Sequence, residues 1–378
     1  MASSTRLRKL DHIRITIDSD VEHQKGPGFE LVELVHRAVP ESSLEDVDVS
    51  VEFLGKRLAA PILVSGMTGG HEVAAKINCA IASAVEKLGL AMGVGSQRAA
   101  IEDEKLAWTF KVARKCAPTA PLIANIGAPQ LVKGYTVREV RRAIEMIDAD
   151  AVAVHLNASQ EAFQPEGDVD YRGVLNKLGE LVEDLDVPII VKETGHGIGY
   201  EVALALRQRG VRFFDVSGAG GTSWVLVEMY RARERGLDVL ESAARTFASW
   251  GIITVRALVE TRWAAPDSCI ISSGGVRSGL DAAKSVAMGA DLAAVALPVI
   301  RAYAEGGSAA VERLLGRMVL EVKAAVFLTG GRTLSDLREA RMLVSDELLS
   351  AFRRLGADID LYLDVLRRLF KPGENCRS

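Results

Sequence analysis

Polar and charged residues stand at the ends of apolar runs along this chain, where packing gives no reason for them. PILVSGMTGG places Met67, Thr68 and Gly69 after one run, and GVGSQR places Ser96, Gln97 and Arg98 after the next. Asn125 lies inside PLIANIG, and His155, Asn157, Gln160 and Glu161 follow AVAVHLN. Lys192 and Glu193 close VPIIVKE, and Ser217 and Thr222 lie in DVSGAGGTSW. CIISSGGVRSGLDAAKSVAMGADLAAVA adds Gly274, Gly275 and Arg277, then Ala296, with Leu297 just beyond. A glycine turn feeding a helix start presents N–H donors to an anion such as phosphate, although the same turn also serves as a plain strand-to-helix connection. Thr68, Ser96 and Asn125 offer neutral hydrogen-bonding groups that suit a ring with amide-like edges. Lys192 would put a cation at the pyrimidine edge of a flavin, where the anionic reduced form is stabilised. Each residue also has a plainer role open to it. Lys192 can pair with Glu193 or Glu161, His155 can be a hydrogen-bonded core histidine, and Asn125 can satisfy loop backbone.

The elements that position these groups repeat as strand then helix. Helical spacing is read over 71–88, 103–115, 137–147, 173–183, 199–209, 256–264 and 280–288, with a long excursion over 220–250. About eight nearly continuous apolar strands precede them, as a parallel sheet covered on both faces requires. The expected fold is α/β, a (β/α)8 barrel over residues 61–309. Residues 1–60 read as a basic arm, a helix over 29–37 and a hairpin over 47–58 turning at Gly55-Lys56. Residues 310–378 read as extra helices packed on the barrel rather than a second domain. In such a barrel, catalytic groups gather at the C-terminal ends of the strands.

With 48% hydrophobic residues in 378, a large core is available. A net charge of −4 provides no basic field for nucleic acid. The four cysteines are scattered without a CxxC or Cys/His cluster, which argues against a zinc site and a disulfide framework. The first residues lack a signal-peptide h-region, and no apolar run reaches the ~18 residues of a membrane span. A soluble cytoplasmic protein is expected. Sparse Asn and Gln beside plentiful Arg and Glu hint at a hot-living source. The basic arm around Arg8 and Lys9 reads by itself as a solvated tail.

Seven ordered motifs, SGMTGG, GVGSQRAA, ANIGAPQL, HLNASQE, VKETGHGI, DVSGAGGTSW and SGGVRSGLDAAKSVAMGAD, together resemble type 2 isopentenyl-diphosphate delta-isomerases. RKLDHI near the N-terminus belongs to the same pattern and turns the arm into a family feature. The resemblance implies reversible isomerisation of isopentenyl to dimethylallyl diphosphate in isoprenoid biosynthesis. It implies reduced FMN as proton carrier through N5, Mg2+, and NADPH or NADH only to prime the flavin. Family FMN contacts fall on Met67, Thr68, Gly69, Ser96, Asn125, Lys192, Ser217, Thr222, Gly274, Gly275, Arg277, Ala296 and Leu297. Substrate contacts fall on Arg8, Lys9, Ser96, Gln97, Arg98, His155, Asn157 and Gln160, and the magnesium ligand on Glu161. Gln160, Lys192 and His155 are the expected catalytic groups, and a homotetramer or homo-octamer the expected assembly. An FMN-dependent 2-hydroxy-acid oxidoreductase is the nearest alternative, but its histidine base has no counterpart in SGAGGTSW.

Overall fold

In the computed structural model of the chain, the described residues are 2–354, 356, 361–365 and 371–377. The chain opens with helix α1 (Ala2–Asp18) and strand β1 (Val32–Leu34), then an antiparallel hairpin of β2 (Val51–Phe53) and β3 (Lys56–Leu58). Eight parallel strands follow: β4 (Ile62–Val64), β5 (Ala91–Gly93), β6 (Leu122–Gly127), β7 (Ala151–His155), β8 (Ile189–Lys192), β9 (Phe213–Asp215), β10 (Cys269–Ser273) and β11 (Leu292–Val295). They close in sequence order, with β11 pairing back onto β4. Every residue of these strands is buried except His155. That is why they read as apolar runs rather than alternating ones, since both faces are covered.

The outer layer is α2 (Glu72–Leu88), α3 (Arg98–Glu102), α4 (Trp108–Cys116), α5 (Ala128–Val132), α6 (Val137–Ile147), α7 (Ala158–Phe163), α8 (Val174–Asp184) and α9 (Tyr200–Arg207). The 220–250 excursion forms α10 (Trp224–Glu234) and α11 (Asp238–Thr246), followed by α12 (Thr254–Ala264) and α13 (Gly279–Ala287). α14 (Leu297–Leu328) follows β11 and is broken by non-helical Gly306 and Gly307. α15 (Leu334–Glu339), β12 (Met342–Val344) and α16 (Asp346–Arg354) then lead toward the C-terminus.

Two stretches differ from their sequence pattern. FELVELVHR has helical spacing, yet it makes one 3-10 turn at Phe29–Leu31 and then β1. β1 pairs antiparallel with β12, Val32 opposite Val344, and Val32 is buried there. Tertiary pairing outweighs local propensity, and it adds a strand to a C-terminal region expected to be helical. Part of that region, 357–360 and 366–370, lies outside the described residues. The hairpin turns at Leu54-Gly55, one residue earlier than its sequence indicates, with φ of 51 and 70 as a type I′ turn requires.

The cysteines also differ from expectation, because all four are bonded. Cys79–Cys116 ties α2 to α4, and Cys269–Cys376 ties the start of β10 to the C-terminal tail. Separations of 37 and 107 residues carry no motif, so only the fold reveals the pairing. Disulfide-rich proteins are a recognised feature of hyperthermophiles, which fits the composition. At this end of the barrel Asp291 accepts from Arg262 at 2.6 Å, Arg338 at 3.3 Å, and the N–H groups of Ile270 and Gly373. The tail is thus locked by charge as well as by sulfur. Breaking Cys269–Cys376, by reductant or by Cys376→Ser, is expected to cost about 2–4 kcal/mol of stability. Thermal unfolding followed by circular dichroism checks this, and an unchanged midpoint under both treatments would contradict it.

No helix among the described residues is long and apolar enough to cross a membrane.

Candidate active site

A cavity of about 220 Å3 lies at the C-terminal ends of the barrel strands. It brings together Arg8, Lys9, Met67, Thr68, Ser96, Arg98, Asn125, His155, Asn157, Gln160, Glu161, Lys192, Ser217, Thr222, Gly274, Gly275, Arg277, Ala296 and Leu297. The arm is therefore no solvated tail. α1 forms one wall of the cavity, with His12, Ile13 and Thr16 beside its two basic residues. Arg14 pairs with Glu234 of α10 at 2.6 Å, and Arg301 of α14 holds the carbonyls of Thr16 and Ser19.

Of the residues expected to contact cofactor, substrate or metal, two do not line this cavity. Gln97 is fully buried behind it, donating to the Ala143 carbonyl at 2.8 Å and accepting from the Asn125 N–H at 2.8 Å. Its amide is taken up in bracing β6, which removes it from the expected substrate contacts. Gly69 is small for packing, because a side chain there would strike the Phe110 ring.

The glycine turn behaves differently at its two ends. Gly274 and Gly275 have φ of 99 and 77, and a side chain on either would strike the backbone of Gly218 or Gly220. The turn therefore needs glycine. The start of α13, however, is already capped. Asp281 accepts from the N–H groups of Arg277 and Ser278, and Glu321 accepts from Gly279. The start of α14 has no side-chain cap, and Ala296 and Leu297 line the cavity. An anion here meets the turn itself and α14 rather than the α13 terminus. Ser217 holds a left-handed φ of 37, a strained backbone of the kind that clusters at functional sites.

The charges sort into neutral and ionised groups. His155 contacts the Asn125 oxygen through Nδ1 at 2.8 Å. Burial, aided by Lys192 and Lys9, pushes its pKa down to about 3, so the unliganded protein holds it neutral. His155 thus answers an anion by hydrogen bonding and not by charge. Lys192 donates to the Glu193 carbonyl at 2.8 Å, and among the described residues it makes no ion pair with Glu193 or Glu161. The Glu193 carboxylate instead caps the N–H groups of Thr194, Gly195, His196 and Gly197. Arg98 is held by Glu102 at 2.7 Å and Asp168 at 3.2 Å, and Arg8 stands 4.0 Å from Glu166.

Lys9 donates to the Ser96 carbonyl at 2.6 Å. Burial, with Arg8 and Arg98 adding repulsion, pushes it down to about 7. It is charged below that pH and loses its charge above it. The kcat/KM for a diphosphate substrate is therefore expected to fall as pH rises through about 7, since that ratio reports the free enzyme. Lys9→Arg keeps its charge and should flatten this limb. A fall of equal depth in both proteins would contradict the assignment.

The sequence gives no sign of Glu228. It lies on α10, is fully buried, and accepts from His12 at 2.9 Å, Gln160 at 3.0 Å and Arg231 at 2.5 Å. Burial alone would raise its carboxyl, but His12, Arg231 and Gln160 hold it down to about 2. One ionised carboxylate thus joins α1, α7 and α10 directly behind Gln160. Trp224 meets His12 edge-on at 5.1 Å and completes that wall. Glu161 accepts from Asn157 at 2.8 Å, Gln164 at 3.1 Å and the Asp168 N–H at 2.6 Å. These donors fix its carboxylate at the cavity edge and leave an oxygen lone pair over.

Comparison with known proteins gives a consistent answer. The profile of the FMN-dependent dehydrogenase family matches residues 145–344. An isopentenyl-diphosphate delta-isomerase of Ignicoccus hospitalis is 58% identical over 86% of this chain and 90% of its own length. Isomerases of the same name from Aeropyrum pernix and Methanosarcina barkeri are 49% and 46% identical, covering 97% and 96% of this chain and 97% and 98% of theirs. Among solved structures, a lactate oxidase of Pediococcus acidilactici superposes with a TM-score of 0.64 at 16% identity, over 91% of this chain and 94% of that one. A mandelate oxidase does so at 0.61 and 19%, over 89% and 92%. At such identities the likeness is one of fold.

Proposed function

The chain belongs to the FMN-dependent, type 2 isopentenyl-diphosphate delta-isomerase family, and from that premise we propose that its cavity interconverts isopentenyl and dimethylallyl diphosphate on reduced FMN with Mg2+. One observation carries this reading. Flavin-type groups (Thr68, Ser96, Asn125 and Lys192) share a single cavity with the cations of α1 and with Glu161.

FMN fits this cavity. The Thr68 hydroxyl is buried without a hydrogen-bond partner at its wall, a donor and acceptor left for a bound group, and the Gly274-Gly275 turn lines the same cavity. Met67, Thr68, Ser96, Asn125, Lys192, Ser217, Thr222, Gly274, Gly275, Arg277, Ala296 and Leu297 would hold it. Bound and reduced, it supplies the proton exchange with the substrate carbons. Glu161 would hold Mg2+, which needs only one or two protein carboxylates and would supply positive charge to the diphosphate. The one three-residue cluster of metal-binding types among the described residues, Cys269, Asp291 and Cys376, is closed by a disulfide.

The protein side chains bind, orient and exclude water. Arg8, Lys9 and Arg98 answer the diphosphate, and Arg98 exchanges a carboxylate partner for it. His155 and Asn157 donate or accept without charge, and Ile13 and Trp224 border the cavity as apolar surface for the hydrocarbon half. Gln160, fixed by Glu228, orients the reacting end. A priming pyridine nucleotide, a cytoplasmic setting and a tetrameric or octameric assembly are carried over from the family on the same footing. The loop after β9, Ser217–Ser223, holds no histidine, which disfavours hydroxy-acid oxidation.

The test is to incubate the FMN-loaded protein with isopentenyl diphosphate, Mg2+ and dithionite and to follow dimethylallyl diphosphate by proton NMR. Product formation that stops on chelation of Mg2+ supports the reading. An intact, reduced flavoprotein that yields no product would overturn it.

A further inference from the structure

Beneath the floor of the active-site cavity lies a second, smaller one of about 20 Å3. Its size admits a single water molecule. Ser65, Gly66, Asn125 and Lys192 line both cavities and so form the partition between them. The only carboxylate lining the lower one is that of Asp215. Strand register brings Asp215 there, since β8 and β9 pair with Lys192 opposite Asp215. Asp215 is 2% exposed, and the Ser273 hydroxyl of β10 donates to one of its oxygens. A carboxylate buried in a barrel core needs a partner charge.

We propose that Asp215 is a positioning residue, whose carboxylate faces Lys192 across the lower cavity and serves as the counter-charge of that lysine beneath the cofactor. This rests on the FMN reading of the upper cavity. The neighbours of Lys192 leave Asp215 that task. The Glu193 carboxylate is turned onto four backbone N–H groups, and His155, paired with Lys192 across β7 and β8, is neutral. Burial leaves the Asp215 carboxyl above its ordinary value, and Lys192 is the foremost of the groups that oppose this rise and favour the ionised form, ahead of the Ser273 hydroxyl and the Ser217 backbone. Without this counter-charge, desolvation drives a buried lysine toward the neutral amine. A neutral amine no longer stabilises the anionic reduced flavin.

The sign distinguishes this from a direct effect. Removing a nearby negative charge would, by itself, raise the flavin midpoint potential. Acting through Lys192, Asp215→Asn lowers it and raises the reduced-flavin N1 ionisation by about one pH unit or more.

The experiment measures the midpoint potential and N1 titration of bound FMN in the full-length wild type, Asp215→Asn, Lys192→Met and the double variant. Both single variants should shift the potential downward, and Asp215→Asn should produce no further fall in the Lys192→Met background. A rise, no shift, or a downward shift that persists without Lys192 would overturn the inference. Should Asp215→Asn fail to fold, Ser273→Ala, which releases the carboxylate, should give a smaller shift of the same sign, and no shift there would equally overturn it. Failure of the wild type to bind FMN would instead overturn the functional reading itself.

Discussion

Glu161→Gln is expected to lower kcat/KM for isopentenyl diphosphate by on the order of 10²-fold or more while leaving FMN affinity unchanged. The carboxylate is held in place by Asn157, Gln164 and the Asp168 N–H, all of them donors. Glutamine removes the negative charge that attracts Mg2+ and turns an NH2 group toward one of those donors. Lost metal binding then leaves the diphosphate charge to Arg8, Lys9 and Arg98 alone. Magnesium titration of activity, run beside FMN fluorescence titration, separates the two effects. An unchanged magnesium dependence would remove Glu161 as the ligand.

Glu228→Leu is the second large effect, and it falls on both stability and turnover. The substitution strands buried Arg231, which keeps Glu166 at 2.6 Å but loses its 2.5 Å partner. Removing one member of a buried pair costs about 3–5 kcal/mol. His12 and Gln160 lose their shared acceptor at the same time, so α1 loosens from the cavity wall. Glu228→Gln, which keeps the shape, should retain most of the fold but still lower kcat. The acid limb carries a further signature. Glu228 ionises near pH 2 when folded and near 4.5 as an ordinary carboxyl. Its stabilisation is therefore fully present above about 4.5 and is lost as pH falls toward 2. Denaturant midpoints measured over that window should fall less steeply in Glu228→Gln. Identical slopes in the two proteins would show that folding does not depress the Glu228 carboxyl.

The barrel was legible because its strands are buried on both faces and their apolar runs recur with helices between them. The cavity residues were legible for a related reason. Polar groups that end buried strands, such as Asn125, His155 and Lys192, have nowhere to go but the rim. α1 was not legible as a wall. Its buried Ile13 and Ile15 are two apart rather than three or four, and the face it turns to the cavity is basic, so amphipathic periodicity is missing. Glu228 reads in sequence as one charge in WVLVEMYRARE, and only tertiary packing shows that solvent never reaches it. Gln97 sits inside a recognisable motif, but whether its amide faced a ligand or the β6 backbone depended on a side-chain direction that no motif records. β1 and β12 lie far apart in sequence, so neither local pattern could disclose the pairing.

The central claim is proton exchange at a reduced flavin without net electron transfer. The most direct measurement is an anaerobic reaction in D2O, with photoreduced FMN-loaded protein and no further reductant, followed by NMR and flavin absorbance together. The account predicts many turnovers per flavin, deuterium in the new methyl group, and a flavin spectrum that stays reduced throughout. Product limited to one molecule per flavin, or flavin reoxidation in step with product, would contradict it.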